Sequence, residues 1–312
     1  MGGFRYSRAM FKEDQAFRDQ VAVYLDAMGA GRPTAVARMG GGLANGNFRV
    51  ERADGPPLAL KIWWNRDLTG AQLVAEVSRA LWAAGVPTPE VLEGPGGRLI
   101  EEVDGAPWML QRFVAGTWVA PRAAHLRAIG RALAELHAVR LPVAPPNGLA
   151  MGFALIDQVL LQSPDHPFVE RLRSEAVELR ASLPSDLPVG PIHGDLFPDN
   201  ALMNGDSVAA ILDFEEICID ILALDLAMAF LGCGYPDGTP KRELWEALLA
   251  GYETVRPLSR AEHDALPLLL RYATLSIATW RFDWFVLQDA DPTQADRYLE
   301  MVSRLDCLPT GW

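Results

Sequence analysis

The chain has 312 residues, half of them hydrophobic, with 40 acidic against 28 basic side chains and a formal net charge of −12. That content can fill one large core or two modest ones, and it excludes disordered and fibrous classes. The negative balance argues against a nucleic-acid binder, which needs a basic face to offset phosphate charge, and leaves small cationic or metal-chelated ligands open.

The three cysteines, Cys218, Cys233 and Cys307, are too few and too scattered for a disulfide framework or a zinc site, and are expected as small core residues in a reducing compartment. The opening "MGGFRYSRAMFKEDQ" has no apolar core of signal-peptide length, and no apolar span of about 20 residues follows. The expectation is a cytoplasmic protein with no membrane partner, a monomer or homodimer.

Along the chain, helical apolar spacing runs from Phe11 to Met28 and stops at the glycines before Pro33. "ARMGGGLANGNFRVE" reads as a glycine-rich turn entering a strand, and "DGPPLALKIWW" as a turn and a second strand. Residues Ala71 to Ala84 predict an amphipathic helix closed by "GVPTP". Strands are expected over Arg98 to Glu102 and Trp108 to Phe113, around the turn "VDGAP". After Gly116 helices dominate: Pro121 to Val139, Phe168 to Ala181, Ala223 to Leu231, Lys241 to Val255 and Ala261 to Asp289. A β-rich first part with one inserted helix and a mostly helical second part imply an α+β protein of two lobes, divided as 1–112 and 113–312. Most of the tryptophans, Trp63, Trp64 and Trp82 among them, fall in patterned elements and are expected in the core.

One stretch interrupts the helical region. "IHGDLFPDNALMNGDSVAAILDFEE", Ile192 to Glu216, sets two short apolar runs between polar clusters, with Asn204-Gly205-Asp206 as the turn of a hairpin. Asp195 and Asn200 are five residues apart, and Asp213 opens the second cluster. In phosphoryl transfer by kinases, an Asp accepts the proton of the substrate hydroxyl while an Asn five residues later and a further Asp hold Mg²⁺ on the phosphates of ATP. The competing reading of the residues is a turn-rich loop whose Asp and Asn bond backbone amides.

These motifs resemble the aminoglycoside phosphotransferase-like kinases, a bilobed, protein-kinase-like group that includes choline kinases and type II homoserine kinases. "HGDLFPDN" is most similar to the homoserine kinase version, "DFEEICIDILALDLAMAF" repeats the group's Asp-Phe, later Asp220 and Asp225-Leu-Ala pattern, and "ALPLLLRYATLSIATWRFDWF" resembles the homoserine kinase tail. The resemblance implies a cytoplasmic kinase that moves the γ-phosphoryl group of ATP, with Mg²⁺, to a hydroxyl of a small molecule. Asp195 would be the base, His193 a loop support, and Asn200 and Asp213 the metal ligands. Asp225 would brace the loop from the next helix or cap that helix.

On the nucleotide side, Gly41 and Gly42 would belong to a phosphate-covering loop. Lys61, a lysine within the apolar strand "LALKIWW", needs an anionic partner. The resemblance assigns Lys61 to the ATP phosphates, with Glu76 as the carboxylate that holds it, and adenine to the backbone near Gln111 to Phe113. Homoserine is the first expectation for the acceptor; choline, ethanolamine or an aminoglycoside is the alternative, and a nucleotide-binding scaffold without catalysis a third reading. Glu215 and Glu216 stand where the homoserine kinases have aromatic residues; they either recognise a substrate ammonium or support Asp213. Arg271 and Arg281 would meet an acceptor carboxylate.

Overall fold

Strands in the first part of the chain are short runs of Val, Leu, Ile and aromatic residues broken by Gly and Pro. In the computed structural model of the protein, which describes residues 14–40, 45–163, 165–288 and 291–309, they form one antiparallel sheet. The chain divides into two compact units, one of Met1–Gly116, Leu141–Val143 and Ala209–Phe214, the other of Thr117–Arg140, Ala144–Val208 and Glu215–Trp312.

The first unit contains α1 (Gln15–Ala27), β1 (Pro33–Arg38), β2 (Gly46–Arg52), β3 (Gly55–Ile62), α2 (Leu68–Ala83), β4 (Ile100–Val103) and β5 (Ala106–Arg112). The sheet order is β1-β2-β3-β5-β4. Its core joins Val50, Leu58, Leu60 and Leu110 to α1, whose Phe17 and Tyr24 rings meet Phe48 and Trp108 at centroid distances of 4.9 and 5.2 Å. Helix α2 starts where Asp67 accepts the Gly70 amide and buries Ala71, Val74, Ala75, Val77, Ser78 and Leu81, the stripe its apolar spacing predicts. Trp63 and Trp64 are core residues; Trp82, in the last turn of α2, is 45% exposed, contrary to expectation.

The second unit contains β6 (Thr117–Trp118), α3 (Ala123–His137), α4 (Phe153–Gln162), α5 (Pro167–Ser182), β7 (Val189–Ile192), β8 (Ala201–Asn204), β9 (Ser207–Ile211), β10 (Cys218–Ile221), α6 (Leu222–Cys233), α7 (Arg242–Tyr252), α8 (Arg260–Phe282) and α9 (Arg297–Asp306), with β9 ending in the first unit. The anticipated hairpin is β8 and β9, in a sheet ordered β6-β8-β9, and Gly205 at φ 58° makes its turn. Strands β7 and β10 pair antiparallel from Val189↔Ile221 to Ile192↔Cys218. Helix α6 is apolar all round and buried throughout its first ten residues, the pattern of a central helix. Its one carboxylate is Asp225. Cys218 and Cys233 are buried as expected, whereas Cys307 is exposed. No helix among the described residues is long and apolar enough to cross a membrane.

Candidate active site

The loop after β7 is built on a backbone clamp. Asp225, fully buried in the first turn of α6, accepts the His193 amide at 2.7 Å and the Gly194 amide at 2.9 Å, one on each carboxylate oxygen. His137, from α3, adds a third bond at 3.0 Å. Burial alone would raise the Asp225 carboxyl; the hydrogen bonds from His137 and from the Gly194 amide outweigh it and hold the group below its usual range. Between bracing the loop and capping the helix, Asp225 does the former.

Gly194 is indispensable to this clamp. Its φ of 79° is left-handed, and a Cβ there would lie 2.8 Å from the Glu216 carbonyl oxygen. Beyond it the fully buried His193 accepts the Asp195 amide on Nδ1 at 3.2 Å. A short 3-10 turn, Pro198–Asn200, then brings Asn200 back, so that Asn200 Nδ2 donates to the Asp195 carbonyl at 2.7 Å and to Asp195 Oδ2 at 3.2 Å. With its nitrogen committed, Asn200 Oδ1 is left as the donor of the type a hard cation takes. The five-residue spacing thus closes a ring in which the carboxylate of Asp195 and the amide of Asn200 fix each other.

In the first unit, Lys61 lies in β3 between Asn47 of β2 and Met109 of β5, with its side chain 10% exposed. Its ammonium meets Asp213 Oδ1 at 2.8 Å and lies 5.3 Å from the Trp63 ring centroid. Asp213 itself is in the left-handed region at φ 59°, uncommon outside glycine and found where surroundings impose it. The carboxylate predicted for Lys61 was Glu76. Instead Glu76 accepts the Gln72 amide at 2.8 Å, one turn away on α2, and lines a groove with Arg79, Leu99 and Pro142. Gln111 sits inside β5 opposite Ala59, and Phe113 follows the strand, its ring under the Arg49 guanidinium at 4.5 Å and its amide bonded to the Pro57 carbonyl. Gly41 and Gly42 lie outside the described residues.

Glu215 and Glu216 form a short 3-10 turn with Phe214 and are half-buried, Glu216 beside Gly194 of the loop. The two arginines assigned to an acceptor carboxylate are committed within the protein. Arg271 bonds Glu175 at 2.6 Å and Glu178 at 2.9 Å, and Arg281, 7% exposed, bonds Glu300 at 2.7 Å and the Arg297 carbonyl at 3.1 Å. Instead of facing an acceptor from a helix across the cleft, they face α5 and α9, which supply the carboxylates that take them. Nothing in the sequence singles out His137 and Tyr252, because a lone histidine and a lone tyrosine in amphipathic helices carry no spacing signal. Asp220, part of the quoted pattern, accepts the Leu149 amide at 2.8 Å and so ties down the segment after "PPNG".

Among the described residues no three His, Cys, Asp or Glu side chains gather as a metal cage. The ligands expected from the motif, Asn200 and Asp213, offer one amide oxygen and one carboxylate. That all-oxygen chemistry fits a hard divalent cation, which completes its shell with phosphate and water.

A family model described as a phosphotransferase enzyme family matches residues 35–258. The homoserine kinase of Methylobacterium radiotolerans is 35% identical over 298 residues, covering 89% of this chain and 92% of that protein. Among solved structures, a choline/ethanolamine kinase family protein from Mesorhizobium loti superposes with a TM-score of 0.69 at 24% identity, over 92% of this chain and 94% of that one. An amicoumacin kinase solved with AMP-PNP and Ca²⁺ gives a TM-score of 0.71 at 15% identity, over 96% and 94%. The fold is therefore kinase-like, as the motifs implied.

Proposed function

Because the chain belongs to the phosphotransferase enzyme family, we propose that it is a small-molecule kinase that transfers the γ-phosphoryl group of ATP to the side-chain hydroxyl of homoserine. The observation that carries the reaction type is the Asp195–Asn200 ring on a loop whose backbone Asp225 holds. Asp195 takes the proton as the hydroxyl oxygen bonds to the γ-phosphorus, and the bond to the bridging oxygen of ADP breaks. His193 keeps the loop in shape from beneath. Asn200 and Asp213 would hold Mg²⁺, which when bound neutralises charge on the phosphate oxygens. Lys61 offers its ammonium to the same phosphates; its contact with Asp213 sets a phosphate-binding cation beside a metal-binding carboxylate. Gln111 and Phe113 would border the adenine.

Homoserine is supported by the relative of 35% identity that bears that name. The fate of Arg271 and Arg281 favours a second reading, an amino alcohol or aminoglycoside bound through Glu215 and Glu216 alone, since neither arginine is left for an acceptor carboxylate. A coupled ADP-release assay with homoserine, choline, ethanolamine and an aminoglycoside decides between them. Turnover of homoserine at millimolar concentration is expected. Turnover of an amino alcohol or aminoglycoside without homoserine would sink the acceptor and keep the kinase; no ADP release with any hydroxyl acceptor would sink both.

A further inference from the structure

The polar network at the loop does not stop at His137. His137 Nδ1 lies 2.8 Å from the Tyr252 hydroxyl, and Arg256 Nη1 donates to that hydroxyl at 3.2 Å. Arg256 Nη2 lies 2.8 Å from Glu262 Oε1, and the other Glu262 oxygen accepts the Ser259 amide at 2.9 Å in the capping box that starts α8. Glu262 is 1% exposed and Tyr252 fully buried. One buried chain therefore links the loop, α6, α3, α7 and the head of α8.

The two ends of this chain decide which way its hydrogens point. A guanidinium only donates, so the Tyr252 oxygen accepts from Arg256 and keeps its hydrogen for a bare Nδ1 of a neutral His137. An ionised carboxylate only accepts, so His137 Nε2 carries the hydrogen shared with Asp225. Burial pushes the Tyr252 hydroxyl up to about 12, which keeps it a neutral donor.

We propose that Tyr252 is a positioning residue for the phosphoryl-transfer loop: by donating to His137 Nδ1 it fixes the orientation of the imidazole that Asp225 keeps as the Nε2–H tautomer, and the imidazole in turn seats Asp225 on the His193 and Gly194 amides. The proposal rests on the phosphotransferase reading for its kinetic consequence but not for its spectroscopic one. Removing the hydroxyl leaves Nδ1 buried without a donor, frees the ring to turn, and loosens the carboxylate that sets the backbone before Asp195.

The test uses the full-length protein labelled with ¹⁵N at histidine, the His137 signals being assigned by their loss in His137→Gln. The wild-type long-range ¹H–¹⁵N spectrum should show a protonated Nε2 and a bare Nδ1. In Tyr252→Phe Asp225 still keeps the hydrogen on Nε2, but the Nδ1 signal should move downfield to the position of an imidazole nitrogen that accepts no hydrogen bond, and kcat for ADP release with the acceptor should fall by about tenfold to a hundredfold. KM for ATP and acceptor should stay within about twofold, because the loss falls on the transition state. An Nδ1–H or doubly protonated His137 in the wild type, a wild-type kcat in Tyr252→Phe, or an equal rise in KM would each overturn the proposal. The wild-type spectrum needs neither turnover nor a well-folded variant, so an absent activity cannot be confused with an absent Tyr252–His137 hydrogen bond.

Discussion

Asp195 and Asp225 are both aspartates of one loop assembly, and their surroundings divide the work. Asp195 is half-exposed at the loop and bonded to Asn200, whereas Asp225 is fully buried with three donors around it. If Asp195 is the base proposed above, Asp195→Asn should keep MgATP affinity, read by calorimetric titration, while turnover falls by about 10²–10⁴. Asp225→Ala should act on the fold as well, because two loop amides and His137 lose their acceptor in the interior. We expect a loss of about 3–5 kcal/mol in denaturant unfolding. Since the folded protein holds the Asp225 carboxyl below its usual range, this stabilisation is complete above the unfolded-chain value of about 3.9 and is lost as pH falls through the lower folded value. Acidification below about pH 4 should accordingly lower the wild-type midpoint more steeply than that of Asp225→Ala.

Helices α3 and α7 bring His137 to Tyr252, and they do so through glycines. A Cβ on Gly130 of α3 would fall 2.0 Å from the Leu248 carbonyl oxygen, and one on Gly251 of α7 only 1.9 Å from that of Arg127. The two backbones are in contact, and no side chain fits between them. Gly130→Ala should force the pair apart, costing about 3 kcal/mol by overpacking, and lower the thermal midpoint together with kcat as His137 and Tyr252 separate. At the other end of the unit, α8 and α9 are tied by Arg281 to Glu300, and Arg304 of α9 bonds the Leu231 carbonyl of α6 at 2.5 Å. Burial would raise the Glu300 carboxyl, but the Arg281 hydrogen bond and the charge of Arg304 outweigh it and hold it low. That pairing marks both arginines as fastenings of the helical bundle.

For the molecule as a whole, a ligand that binds only the folded state raises stability by RT ln(1 + [L]/Kd), about 2.7 kcal/mol at a hundred times Kd. MgATP should raise the thermal midpoint of the wild type, and ATP with a chelator should raise it far less, because Asn200 and Asp213 would then contribute nothing. Asp213→Asn should reduce the Mg²⁺-dependent part of the shift, and Lys61→Ala the ATP-dependent part. An Mg²⁺ titration that is identical in wild type and Asp213→Asn would remove Asp213 from the metal site. The net charge of −12 adds a general attraction for divalent cations, so a surface mutant such as Glu246→Gln serves as the control.

By itself the sequence determined the reaction class and most of the longer elements, though not helices α4 and α9. The Asp195 to Asn200 spacing, the turn at Asn204-Gly205-Asp206 and a lysine within an apolar strand are local patterns, and local patterns survive without knowledge of the fold. Strands β1, β7 and β10 were not legible in this way. Strand β1 is an edge strand with no buried side of its own, and β7 and β10 are four residues each, one of them holding Gly190 and Pro191; pairing with a distant strand, not propensity, makes them strands. The partners of charged groups were equally out of reach. Lys61 had Glu76 as its predicted partner and meets Asp213, 152 residues away; Arg271 and Arg281 had a substrate and meet α5 and α9; His137 and Tyr252 join across 115 residues. A charge in the interior takes the carboxylate that packing brings within about 3 Å, and only the tertiary structure decides which one that is.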